Sequence, residues 1–588
     1  MAEQVISPGV FTNEDIPTIT EAAAAPIGAA VVGPTPLGPV EIPTVCTTFS
    51  DFQSKFGRTF ESGGVDYSYL TSIAASQYFQ NGGTNLLVTR VVSGSAATFT
   101  GARSTFVPSS GSLGASPTHN VFILRTFSEG RLMNSTSSLG SATSSLASSS
   151  GSYESGSRDN LRWEVSNTNY TKGTFTLTIR QGNDSPTAKK VLETYRGINL
   201  DPNSDNFISK RIGNQYYEVA TDGAEKYTKL NGDYPRVSNY VYVESISGST
   251  PDYLNSDGTR SDDAYTASLP QPSNGGFYDA TGSLFKEANL VKLGKDITTT
   301  NMQGLVHGDY ATAISLLADK DLYYFNTISF PGYLTTANTT TTNNIINLVE
   351  NRGDSIAVLD LGVYGADPST VTTEAENYDS SFVASYYPWI LANDPQTGAA
   401  TWLPPSTVVP SVYVYNDSVA GAWFAPAGNT RSNIRGAISL QRALTKTQRD
   451  TLYDGKVNPI VKFPNTGVAI YGQKTLQAAA SATDRVNVRR LLLNLKNFIG
   501  TVAQGLVFEP NTLATRNSFL SVVVPYLELV QQRQGLYAFK VTMDDTNNGP
   551  DVIDRNELRG AIYIQPVKAA EFVILDFNVL PTGAEFPG

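Results

Sequence analysis

Between residues 29 and 92 the apolar positions fall into two kinds of run. Ala29–Val32 is continuous and is punctuated by Gly33-Pro34 and Gly38-Pro39, which predicts a short buried strand followed by turns. From Tyr67 to Phe79, the residues Leu70, Ile73, Ala74 and Phe79 recur at helical spacing. Asn81-Gly82-Gly83 stops that helix, and Leu86–Val92 predicts the next strand. Residues 311–470 repeat the alternation, with strands at Leu322–Phe330, Ser355–Leu361 and Ser381–Ile390 and a helix at Asn343–Asn351. Buried parallel strands joined by crossover helices produce such a pattern. After residue 470, two longer helical stretches precede strands at Tyr537–Val541, Ala561–Ile564 and Phe572–Val579.

Two regions break this rhythm. In the first thirty residues Pro8, Pro17 and Pro26 each remove a backbone donor and fix φ, so the segment reads as an extended arm. Val10, Phe11, Ile16 and Ile19 give it apolar anchors without the mass of a core. Residues 96–310 carry short alternating runs at Val121–Arg125, Leu161–Val165, Thr174–Arg180, Tyr216–Val219 and Tyr240–Val243, separated by Gly, Asn and Asp. Period-two alternation of this kind predicts an all-β insert. Within it, Asn134–Ser157 holds twelve serines in twenty-four residues, too few apolar groups to offset the cost of ordering, and reads as an exposed loop. The chain as a whole is predicted to be an α+β multidomain protein.

Composition narrows the chemistry. The 588 residues are enough for three to five domains at roughly 100–200 residues each. With one cysteine, Cys46, neither an intramolecular disulfide framework nor a cysteine-built zinc site is available. Two histidines far apart in sequence, His119 and His307, leave little for a catalytic triad or a histidine-rich metal site. A charged fraction of 16% and a net charge of −11 provide no global field for gripping nucleic acid, and none is expected as a partner. No run reaches the roughly eighteen apolar residues that span a bilayer, so no direct membrane insertion is expected. The N-terminus shows neither the basic nor the apolar region of a signal peptide, which predicts a protein made inside a cell.

The strand–helix alternation invites a nucleotide site, but neither G-x-G-x-x-G nor G-x-x-x-x-G-K-[ST] occurs at the strand ends, and Pro331-Gly332 reads as an ordinary turn. An EF-hand register begun at Asp544 puts Gly549 correctly but places Thr546 and Arg555 where ligands are needed, so a Gly-Pro turn between strands is expected there. Asp201–Asp205 reads as an Asx-rich turn. Cys46, between Val45 and Thr47, reads as a small buried hydrophobe, and His119 and His307 as solvated loop residues. No catalytic residue, no cofactor-binding residue and no metal ligand can be nominated, and no cofactor is expected. One stretch stands out in charge: residues 471–500 carry Lys474, Arg485, Arg489, Arg490 and Lys496 against Asp484, a net +4 in an acidic chain. Val488, Leu491, Leu492, Leu495, Phe498 and Ile499 form an apolar stripe at helical spacing, with Arg485, Arg489 and Lys496 on one line beside it. A solvated helix face and a docking surface for an acidic partner both fit this arrangement.

Read in order, several segments resemble the tail sheath proteins of contractile-tailed bacteriophages and related injection machines. They are Ser7-Pro8-Gly9-Val10-Phe11; Gly33-Pro34-Thr35 with Gly38-Pro39-Val40; Phe49-Ser50-Asp51-Phe52 with Phe56-Gly57; and Phe79-Gln80-Asn81-Gly82-Gly83. Tyr386-Tyr387-Pro388-Trp389 and Gly421–Pro426 continue the series, followed by Tyr471-Gly472, Val488-Arg489-Arg490-Leu491 and Phe508-Glu509-Pro510-Asn511. Asn547–Pro550, Pro566-Val567 and Glu571-Phe572 complete it. Two departures are Pro525, which should kink or divide its helix, and Lys568-Ala569-Ala570 in place of a second proline before Glu571.

The resemblance implies a non-catalytic subunit of stacked hexameric rings around an inner tail tube. Such rings contract to drive the tube through the host envelope. The implied partners are further copies of the chain, the tail tube protein, and baseplate and tail terminator proteins. The implied location is the virion tail, after assembly in the host cytoplasm. It also implies a discontinuous inner α/β domain formed by the N- and C-terminal parts, with a β-rich domain inserted in the middle of the chain. On that reading residues 1–30 are a linking arm and residues 31–95 with 311–470 a discontinuous α/β middle domain. Residues 96–310 are the outward insertion, and 471–588 a C-terminal inner sheath domain ending in a linking strand. Val10, Phe11, Ile16, Ile19, Val573, Leu575, Phe577 and Val579 would then link subunits, while Arg485, Arg489 and Lys496 face the tube. A virion surface protein whose β insert recognises host glycans is the alternative reading.

Overall fold

The computed structural model describes residues 28–571 except 37, 63–64, 94–100, 109–119, 127–160, 170–171, 183, 186, 224, 247–268, 279–290 and 465–466. Six parallel strands form its centre. In spatial order they are Leu86–Arg90, Ala29–Gly33, Thr327–Leu334, Ile356–Asp360, Val383–Tyr387 and Asn458–Phe463. Antiparallel strands Thr44–Cys46 and Gly467–Ile470 close the two edges of this eight-stranded sheet. Its strands are buried along nearly their whole length, as expected where helices cover both faces. The order of the parallel strands reverses between Ala29–Gly33 and Thr327–Leu334. In open α/β sheets this is the place where ligands bind, beyond the carboxyl ends of the strands.

Local chemistry sets the crossover helices. Helix Thr339–Arg352 begins at Asn338, whose side chain accepts the Thr341 amide at 2.9 Å, and ends at Gly353 in the left-handed region (φ 66°). Its buried Ile345, Ile346, Leu348 and Val349 pack against the sheet, which is the apolar face the sequence spacing requires. Helix Phe49–Phe56 is capped in the same way by Thr48 and stacks Phe52 on Phe56. Helix Pro405–Val419 forms although Pro410 lies inside it, with Pro405 in its first turn.

The β-rich insert has its own core. One antiparallel sheet orders Val191–Ile198, Thr174–Gln181, Leu161–Asn169 and Ser273–Gly275, and another orders Val241–Ile246, Phe122–Thr126, Arg103–Ser104 and Phe277–Tyr278. Trp163, Phe175, Leu177, Phe122 and Val243 are buried together, with Phe122 stacked on Phe175 at 5.9 Å. The hairpin of Tyr216–Asp222 and Glu225–Asn231 reaches the central part, where Lys226 Nζ donates to Thr312 Oγ1 at 2.6 Å and Thr228 bonds the Tyr323 hydroxyl. The central core already takes up Ile297, Met302, Leu305 and Tyr310, and it extends on to Leu476, Val486 and Leu493.

The chain divides into two compact units, the first described residue of the smaller one being Leu495 and its last Gln565. In that unit, helix Leu513–Gln532 is unbroken through Pro525. Strands Leu536–Thr542 and Ala561–Pro566 form a two-stranded sheet. The predicted strand Phe572–Val579 lies outside the described residues, as does the serine-rich stretch 134–157.

Candidate functional site

The crevice where strand order reverses is the natural place to look for a ligand, and it is filled. Gln303, fully buried, accepts the Leu70 amide at 2.8 Å on Oε1 and donates from Nε2 to the Pro331 carbonyl at 2.7 Å. Leu70 is the first residue of helix Leu70–Gln80, so the amide that could have met a phosphate is already taken. Pro331-Gly332, expected as a turn, lies inside strand Thr327–Leu334, where the register against Ile356–Asp360 shifts. Gly332 has φ 82°, and a Cβ on it would stand 2.9 Å from both Gln303 Nε2 and Leu70 Cδ1. The dipeptide is a bulge that brings the backbone up to Gln303.

Beside this plug, Asp360 ends its strand at 1% exposure and accepts the Ser406 amide at 2.9 Å and the Ser406 hydroxyl at 2.5 Å. Burial pushes its carboxyl up to about 7 against the hydrogen bonds from Ser406 and the Gly332 amide. Ser406 is itself fully buried, so its hydroxyl, spent on the Asp360 carboxyl, is not presented to a substrate. Cys46 is buried, and burial pushes its thiol up to about 12, far from a reactive thiolate. His307 opens a short 3₁₀ turn and lies 3.3 Å from Thr341 Oγ1, while His119 lies outside the described residues. The loop after Asp544 is held by Asn548, which donates to the carbonyls of Asp544 and Arg559 and accepts the Arg559 amide. No cluster of metal-ligating side chains occurs among the described residues, and none of their helices is long and apolar enough to cross a membrane.

The basic line is not one solvent face. Arg489 shares its side of helix Val486–Gln504 with Val486 and Leu493, three residues before and four after it, and both of these belong to the central core. Its guanidinium stacks 4.0 Å over Phe382 and donates to Ser381. Arg490 pairs with Asp417 at 2.5 Å over the ring of Tyr413. Arg485 is paired with Asp484 and Glu571, and Lys496 is exposed. Helical spacing placed three cations on a line, but core packing has drawn in Arg489 and ion pairs hold Arg485. What the sequence did not single out is Glu571 as a hub. Its carboxylate accepts Arg485 Nε at 2.6 Å and Nη2 at 3.1 Å, Tyr453 Oη at 2.6 Å and Gln473 Nε2 at 3.1 Å.

In the smaller unit the exposed surface is rich in apolar and aromatic groups. Phe508 is fully exposed with φ 72°, and Val507, Leu513, Tyr537 and Tyr563 are all more than half exposed. Each strand of the pair Leu536–Thr542 and Ala561–Pro566 has one edge without a partner among the described residues. Of the expected linking residues, Val10, Phe11, Ile16, Ile19, Val573, Leu575, Phe577 and Val579 all lie outside the described residues.

Two regions of the chain resemble domains of known proteins. Residues 304–476 match the phage tail sheath protein central domain, and residues 479–579 the phage tail sheath C-terminal domain. The tail sheath protein of Vibrio phage KVP40 is 36% identical over 247 residues, which are 41% of this chain and 36% of that protein. The tail sheath protein of Enterobacteria phage T4 is 32% identical over 299 residues, covering 47% of this chain and 45% of its own. The chain thus spans less than half the length of these curated relatives. A sheath tail protein from Listeria innocua, 11% identical, superposes over 93% of this chain and 96% of its own with a TM-score of 0.51, a likeness of fold. Residues 304–476 and 479–579 thus carry the central and C-terminal domains of the phage tail sheath family.

Proposed function

We propose that the chain is the structural, non-catalytic subunit of a contractile tail sheath. It polymerises as stacked hexameric rings around an inner tail tube and contracts to drive the tube through the host envelope. The observation that carries this reading is the match of two adjoining regions, 304–476 and 479–579, to the central and C-terminal sheath domains. Three features of the molecule support it. The ligand crevice of the sheet is plugged by Gln303. A two-stranded sheet offers edges that are open among the described residues. A proline-punctuated arm with four apolar anchors precedes the core. Adding an extended segment of a neighbour to those edges satisfies their backbone groups, the β-augmentation mode of association.

On this reading residues 1–30 and the end of the chain link neighbouring copies. The α/β part drawn from 31–95 and 311–470 and the C-terminal part 471–588 surround the tube, and the insert 96–310 faces outward. Contact with the tube then falls to exposed groups such as Lys496, since Arg485 and Arg489 are engaged within the chain. Baseplate and terminator proteins would bound the polymer, in a virion tail assembled in the host cytoplasm. Negative-stain microscopy of the purified chain tests the reading. Tubes of six-fold cross-section are expected, and a chain that remains monomeric at every concentration contradicts it.

A further inference from the structure

Glu571 belongs to no helix or strand, yet three separate elements converge on it. Tyr453 comes from the last turn of helix Lys446–Asp454, Gln473 from the segment after strand Gly467–Ile470, and Arg485 stands immediately before helix Val486–Gln504. Together they place four hydrogen bonds of 2.6–3.1 Å on one carboxylate, two of them from the fork of Arg485. The donors are themselves held. The Val486 amide donates to the Gln473 carbonyl at 2.7 Å, and the Lys474 ammonium lies 4.4 Å from the centre of the Tyr453 ring. Burial opposes ionisation of Glu571, but the hydrogen bonds from Arg485, Tyr453 and Gln473 outweigh it and hold the carboxyl below its ordinary range. The three residues before it, Lys568, Ala569 and Ala570, are exposed. The clasp therefore fixes one point of an otherwise loosely covered stretch, directly before the last seventeen residues of the chain.

We propose that Glu571 is a tension anchor for the C-terminal segment. A pull exerted on residues 572–588 by a second copy of this chain ends at Arg485, Tyr453 and Gln473 and is not passed back to strand Ala561–Pro566. That strand belongs to a two-stranded sheet, an arrangement with little stability of its own, and an unanchored pull would peel it. The proposal rests on the reading that the C-terminal segment links copies.

The test uses the full-length chain. Glu571→Gln keeps the shape and removes the charge, and Tyr453→Phe removes one hydrogen bond without touching the ion pair, so it carries the test should the first variant fail to fold. Tryptic cleavage after Lys568 reads opening of the clasp. In Glu571→Gln it should accelerate about tenfold or more, the scale of one lost charge-assisted hydrogen bond. The concentration needed for tube formation should rise by a similar factor, and Tyr453→Phe should give smaller changes in the same direction. Unchanged cleavage overturns the anchor, and so does faster cleavage with unchanged tube formation. A chain lacking residues 572–588 separates the two readings. If it still forms tubes as the full chain does, the linking role of the segment fails and the anchor fails with it, whatever the cleavage rates.

Discussion

Burial strongly alters the chemistry of Asp360, and its effect on stability has a definite sign. Its carboxyl titrates at about 7 in the folded protein, above the 3.8 of an ordinary aspartate. The unfolded chain therefore loses this proton at lower pH than the folded one. Its contribution to stability is fully present below about pH 4 and is lost as pH rises through 7. At roughly 1.4 kcal/mol per pH unit the whole change is about 4 kcal/mol. Asp360→Asn keeps an acceptor for the Ser406 amide and cannot ionise, so the slope of stability against pH between 4 and 7 should flatten. Urea unfolding at pH 5 and pH 7.5 measures it, and identical slopes in both proteins would clear Asp360 of this role. In the sequence Asp360 is only the end of an apolar strand, Ile356–Asp360, and its burial depends on Ser406, forty-six positions away. Cys46 was legible because a lone cysteine flanked by strand-forming residues has few other fates, whereas Arg489 was not, because helical spacing alone does not say which face the core claims.

Among the elements, strand Thr327–Leu334 shows where local signals and tertiary context part. Pro-Gly usually punctuates a turn, yet here the two residues are carried through a central strand as a bulge because Gln303 bonds the Pro331 carbonyl. Gly332→Ala should then cost more than the left-handed backbone alone, about 1–2 kcal/mol, because the new methyl meets Gln303 and Leu70 at 2.9 Å. Gly365, with φ 91° and nothing within 4 Å of the place a Cβ would take, is the control that should cost only the backbone part. Equal losses for the two alanines in chemical denaturation would mean that the close approach at Gly332 relaxes freely. The strands and helices with strong periodicity, such as Ile356–Asp360 and Thr339–Arg352, were readable to within a few residues. Helix Pro405–Val419 was hidden by Pro410 and a β-branched run, since burial of Val408, Val409, Val412 and Tyr413 overrides weak helical propensity. Pro525 likewise lies inside a helix that it does not divide.

The insert and the arm differ in how much of the molecule depends on them. The insert has a core of its own, but its hairpin also bonds the central part through Lys226 and Thr228. Replacing residues 100–300 by a short Gly/Ser linker should therefore leave a chain that polymerises with a somewhat lowered melting temperature. Aggregation of every such chain would argue that the insert is part of the central fold. The central core that begins at Ala29, by contrast, closes through groups beyond the arm. Ala29–Gly33 pairs with its two neighbours in the sheet, and the Asn326 amide donates to the Gly28 carbonyl at 2.9 Å. Residues 1–25 bring six large apolar side chains, Val5, Ile6, Val10, Phe11, Ile16 and Ile19, and two prolines, too little to repay the ordering of twenty-five residues unless another copy supplies the surface. Deleting them should leave a folded monomer whose melting temperature hardly moves, because the buried clusters of the described residues are built from residue 29 onward. It should nevertheless abolish tube formation, since the edges of the pair Leu536–Thr542 and Ala561–Pro566 that are open among the described residues would lose the strand expected to cover them. Microscopy and melting on the same preparation separate the two effects: a truncated chain that melts normally and still builds long ordered tubes would show that the arm does not link the copies.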